Sequence, residues 1–113
     1  MGISNNTLLT AGPADLSQDW TSPEIPLDYV VQFSLQLIFE GMFVGSWALE
    51  GSNSVHIPEA VWTEIPGSLQ AITEEGEHWY LVQNCPYKWA RLKWSWTSGS
   101  GDLTFARFNT KAT

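Results

Sequence analysis

The chain has little positive charge, and what it has sits at one end. Of 113 residues, five are Lys or Arg and 12 are Asp or Glu, a formal charge of −7. All five cations lie between Lys88 and Lys111; residues 1–87 carry −11 and residues 88–113 carry +4. Phosphate binding needs a basic footprint, so nucleic acid is not the expected partner. Cys85 is the only cysteine, which rules out an internal disulfide, and a buried, inert thiol is its expected state. No apolar run approaches the ~18–20 residues of a membrane helix. The opening MGISNNTLLTAGPADLSQ lacks the basic start and apolar centre of a signal peptide, and no membrane or secretory address is expected. His56 and His78 are the only histidines and have no metal-ligand spacing, so neither metal nor cofactor is expected.

Helical spacing is missing too, because the apolar residues recur with a period of two. In DYVVQFSLQLIFE the odd positions are Tyr29, Val31, Phe33, Leu35, Leu37 and Phe39, while Gln32, Ser34, Gln36 and Glu40 alternate with them. That is a half-buried strand, since successive side chains leave opposite faces of a pleat. Gly41 interrupts it, and Phe43, Gly45, Trp47 and Leu49 continue one face, which predicts an antiparallel hairpin turning near Glu40–Met42. SNSVHIPEA reads as a loop, VWTEI as a short strand ended by the turn Pro66-Gly67, and SLQAITEE and EHWYLVQ as strands around Gly76. YKWARLKWSWT and DLTFARFNTK then form a closing hairpin about the turn SGSG. The reading is an all-β chain: an antiparallel, jelly-roll-like β-sandwich of about eight strands. Residues 1–24 are expected as an extended arm anchored by Trp20, and residues 25–113 as the single sandwich domain.

No constellation carries catalysis. Glu74, Glu75 and Glu77 crowd one turn instead of flanking a cleft. Ser98 and Ser100 lie in a Gly-Ser segment without a nucleophile elbow or a helix start to hold phosphate. His78, beside Trp79 on a strand, reads as a surface or rim residue. The chain is not expected to be an enzyme.

Seven tryptophans remain, and such rings serve cores, sugar stacking and protein interfaces alike. In KWARLKWSWT the alternation assigns Ala90, Leu92, Trp94 and Trp96 to the core, and Trp89, Arg91, Lys93 and Ser95 to the outside. Trp62, alternating with the Val61, Thr63, Ile65 face, also points outward. Trp62, Trp89, Arg91 and Lys93 are therefore the candidate interface or ligand contacts. Trp89 has two readings at this stage: a contact residue, or ordinary edge packing under the stems of Arg91 and Lys93. The charge split likewise reads either as pairing within one subunit or as attraction between copies.

From residue 45 onward the order of elements resembles a recurrent module of tailed-bacteriophage structural proteins. The resemblance rests on Gly45, Gly51-Ser52-Asn53, Trp62, Ile65-Pro66-Gly67, Tyr87, Arg91, Thr97-Ser98-Gly99-Ser100-Gly101 and Lys111. It covers about the last 65 residues, and the first predicted hairpin fits by position only. The family turns with Asp-Gly directly after Ser-Asn, whereas here SVHIPEAV intervenes, so the loop Ser54–Glu59 departs from the pattern. The resemblance implies a galactose-binding-like jelly roll in a virion protein: a decoration, minor capsid, adaptor or baseplate-type subunit. It implies a homo-oligomer, with a trimer favoured, that contacts other virion proteins and resides in the virion after assembly in the host cytoplasm. The alternative function is a carbohydrate-binding module with Trp62, Trp89 or Trp20 as a stacking platform and glycans as partners.

Overall fold

Period-two alternation makes both long apolar segments into strands, and each is about twice the expected length. The structure, a computed structural model, describes residues 3–7, 9, 13–27, 30–54, 61–83 and 87–112. Tyr29, His56, Cys85 and loop residues 55–60 lie outside them. The strands are β1 (Ile3–Thr7), β2 (Ala14–Asp15), β3 (Trp20–Thr21), β4 (Ile25–Pro26), β5 (Val30–Ser52), β6 (Thr63–Glu64), β7 (Gln70–Ile72), β8 (Gly76–Val82) and β9 (Trp89–Ala112). All their pairings are antiparallel. The expected all-β, antiparallel sandwich class is what forms.

The two expected hairpins do not form. β5 runs unbroken through Gly41 and β9 unbroken through SGSG. The two strands pair with each other from Val30 opposite Ala112 to Ser52 opposite Trp89. The glycine segments are instead a shared corner, with Gly41 opposite Gly101 and Phe43 opposite Gly99. Gly41 has φ +126° and Gly99 φ +85°, values that side-chain-bearing residues seldom adopt. A Cβ on Gly41 would stand 2.5 Å from the Gly101 Cα, and one on Gly99 would strike the Met42 carbonyl oxygen. Thr97 and Thr104 are extra residues opposite the Val44/Gly45 and Ile38/Phe39 steps, bulges that add to the bend.

The bend folds one sheet over itself. Laid straight, 23 strand residues span ~75 Å, whereas the molecule measures 40 × 27 × 27 Å. Tyr80 shows where the ends meet. It pairs opposite Leu35, yet its hydroxyl donates to the Ser68 carbonyl (2.7 Å), and Ser68 Oγ accepts the Leu49 amide (3.0 Å). Positions 35 and 49 of one strand are thus brought to opposite layers. In one layer β5 (30–39) lies between β8 and β9, and in the other β5 (42–52) lies between β9 and β6 with β7. β1 to β4 line the far edge of β9, so Ala14 and Leu16, within the expected arm of residues 1–24, lie in the core.

Phe33, Leu35, Leu37 and Phe39 of one layer and Phe43, Trp47 and Leu49 of the other are buried, as the alternation requires. Trp47 and Trp94 stack at 4.7 Å between centroids, with Phe43 edge-on to Trp94 at 5.3 Å. Trp96, expected in the core, is 42% exposed. The Trp94 ring already fills the space above Gly45, where a Cβ would meet it at 2.5 Å. Trp96 falls past that point at the corner, its indole N–H donating to the Gly99 carbonyl (2.9 Å).

Candidate functional site

Between Trp89 and Trp94 the even-numbered residues of β9 are buried and the odd-numbered ones turn away from the core, which aligns Trp89 opposite Ser52, Arg91 opposite Glu50 and Lys93 opposite Ala48. Arg91 Nε donates to Glu50 Oε1 at 2.7 Å, and its guanidinium lies 4.3 Å from the centre of the Trp62 ring. Glu64 stands opposite Glu50, so Arg91 also offsets a like-charged cross-strand pair. Trp89 is half-buried and its indole N–H donates to the Ser54 carbonyl (3.1 Å). Lys93 is exposed in the next row and makes no ion pair with a described residue. The sheet thus gathers Trp62, Arg91 and Trp89 at one end of the ribbon. The Trp89 indole N–H, the Arg91 Nε and one face of Trp62 already have partners. Trp20 is half-buried with its edge toward Trp47, at 6.4 Å between centroids.

A second face was not singled out by the sequence. On β8 the side chains of Glu77, Trp79 and Leu81 point outward, opposite Ile38, Gln36 and Ser34 of β5; these in turn oppose Phe105, Arg107 and Asn109 of β9. Trp79 is 55% exposed and Leu81 63%. The Trp79 indole N–H donates to Glu77 Oε1 (2.9 Å), and Gln36 Nε2 donates to Glu77 Oε2 (2.7 Å). These two hydrogen bonds, the indole's first, hold the Glu77 carboxyl below its usual pKa. The Arg107 guanidinium lies 5.1 Å from the centre of the Phe105 ring. The sequence signal was weak because EHWYLVQ has apolar residues on both faces: Tyr80 and Val82 inward, Trp79 and Leu81 outward. His78 is half-buried on the inner side, edge-on to Tyr80 at 4.6 Å, and burial lowers its pKa.

The corner is the third distinctive region. Asp15, Asp102 and Glu40 lie side by side across β2, β9 and β5, all exposed. Glu75 Oε2 accepts the Gly41 amide (3.1 Å), and Glu74 borders an open groove of about 500 Å³ with Met42, which is 88% exposed. Asp19 Oδ1 accepts the Trp96 amide (2.8 Å). Six carboxylates therefore surround this end; along β9 the flanking cations are Lys93, three residues from Trp96, and Arg107, five residues from Asp102. Among the described residues no group of three or more His, Cys, Asp or Glu side chains is placed to hold a metal ion.

No protein-family model matches the chain, and no curated protein is similar in sequence. Solved structures are similar in fold. The SPBc2 prophage-derived protein YomS superposes with a TM-score of 0.62 at 7% identity, over 96% of this chain and 92% of that one. A chain of infectious bursal disease virus, Gx strain, gives 0.56 at 9% identity, over 98% of this chain and 32% of that one. The tobacco streak virus coat protein gives 0.51 at 7% identity, over 98% and 88%. The fold is shared across nearly the whole chain. At these identities the likeness is one of architecture.

Proposed function

We propose that this chain is a non-enzymatic structural subunit of a phage or viral particle. It acts by self-assembly and by docking on other virion proteins, with a trimer as the favoured oligomer. The observation that carries the reading is the near-complete superposition on a prophage-derived protein and on a viral coat protein. The resemblance of residues 45–111 to phage structural modules points the same way. So does the charge distribution. Folding gathers Asp15, Glu40, Glu74 and Asp102 at the corner, far along the ladder from Lys88 and Lys93. Among the described residues only Arg91 and Glu50 form an ion pair, so most of the sequence's charge split is left for contacts between copies. Within the proposal the protein resides in the virion after assembly in the host cytoplasm.

Solution mass across a concentration series, at low and high ionic strength, is the test. The expected result is a defined oligomer that loosens as salt rises, because exposed charge contacts are screened. A strict monomer that also fails to co-sediment with any particle would overturn the proposal. The carbohydrate alternative, placed by the sequence on Trp62, Trp89 or Trp20, rests on three half-buried rings: Arg91 lies over Trp62, the Trp89 N–H donates to the Ser54 carbonyl, and Trp20 packs against Trp47.

A further inference from the structure

We infer that the outer face of the β8–β5–β9 layer is a carbohydrate-binding surface, with Trp79 as the stacking platform and Gln36, Arg107 and Asn109 as the polar contacts. Nothing in the assembly reading requires this face.

Four features favour a sugar. The first is the ring itself. Trp79 is the large aromatic of β8 that faces solvent, and it is pinned instead of mobile: its N–H is fixed on Glu77, whose other oxygen is fixed by Gln36. A ring already held in place loses little freedom when a ligand stacks on it. The second is the row beside it. Trp79, Gln36 and Arg107 are direct cross-strand neighbours, so the row extends over two strand spacings, ~10 Å. That reach suits two linked sugar rings, one stacked on the indole and the next over the amide and guanidinium. Asn109 and Ser34, one pleat further, add a second set of donors and acceptors. Hydroxyl groups need both kinds, and this face offers both.

The third feature is charge. Arg107 and Glu77 balance, so the face is close to neutral, unlike the acidic corner, and suits a neutral ligand. The fourth is size. The outward positions of β8, β5 and β9 span ~10 Å by ~14 Å, the reach of a short hexose oligomer, and β1 continues the sheet beyond Arg107 and Asn109.

The test is an NMR titration that follows the tryptophan indole N–H resonances. The added ligands are cello-oligosaccharides, galactan fragments and mannan fragments. The expected result is saturable, millimolar binding of at least one of them that moves the Trp79 signal. Trp79→Ala should weaken it at least about tenfold, and Arg107→Ala less so. Trp89→Ala should leave it unchanged. The proposal falls if none of the oligosaccharides moves the Trp79 signal, or if Trp79→Ala binds as well as the parent. It also falls if Trp79→Ala alters the solution mass, since the face would then be a contact between protein copies. Solution mass tests assembly and the titration tests this face, so either reading can fail alone.

Discussion

Ser68 Oγ accepts the amide of Leu49 (3.0 Å) and lies 2.7 Å from the carbonyl of Ile65, inside the core. Tyr80 closes on the same residue from the opposite layer, through the Ser68 carbonyl. Ser22 plays a matching part at the other edge, where its Oγ accepts the Leu92 amide (2.8 Å). Neither serine stands out in the sequence, because a serine that satisfies a buried strand amide looks like any loop serine until the strand is placed beside it. Ser68→Ala would leave the Leu49 amide without its partner in a dry site, and the expected loss is about 1–3 kcal/mol, read as a lower urea midpoint. At this scale the alternation assigned Leu92 and Trp94 correctly and missed Trp96. Period two reports which face a side chain takes, and it cannot report that a larger neighbour has already filled the space.

At the scale of elements, the glycine segments were the misread feature. Gly41 within Glu40–Met42 and the segment SGSG read as turns, and a glycine at positive φ serves a turn and a corner equally well. The difference is non-local. Each segment lies beside the other in the ladder, and their mutual pairing keeps both strands running through the bend. Inward parity is preserved, since Phe39 and Phe43 are four positions apart on either side of Gly41 and both are buried. Gly99→Val should test the corner. The new side chain would need positive φ and would strike the β5 backbone at Met42 and Phe43. Strain and overpacking together predict a loss of at least about 2 kcal/mol. The matched control Ser98→Val, at an exposed site beside it, should change stability by less than about 0.5 kcal/mol. Equal denaturation midpoints for the two variants would refute the corner.

At the scale of the whole molecule, acid should weaken the fold in a definite order. Burial lowers the pKa of His78 from its ordinary 6.5. The folded state therefore binds this proton less readily than the unfolded chain, and stability is highest above about pH 6.5 and falls as the pH drops below it. Glu77 is lowered from 4.5 by its two hydrogen bonds, so its contribution is lost at more acid pH. His78→Gln should flatten the first limb and leave the second. Urea unfolding followed from pH 8 to about pH 2 reads both, and an unchanged first limb in His78→Gln would refute this assignment.

The sequence by itself determined the fold class, the inward face of β5 and of β9 as far as Trp94, and the imbalance of charge. These depend on local periodicity and composition, which survive without any knowledge of neighbours. Only the tertiary structure decided that two expected hairpins are one pair of continuous strands bent at a common corner. It also decided that Trp62 and Trp89 are half-buried while Trp79 is exposed. The reason is physical: engagement and bending come from residues far apart in sequence, Arg91 over Trp62, Ser54 at Trp89, Gly101 against Gly41, and one chain position carries no record of what packs against it.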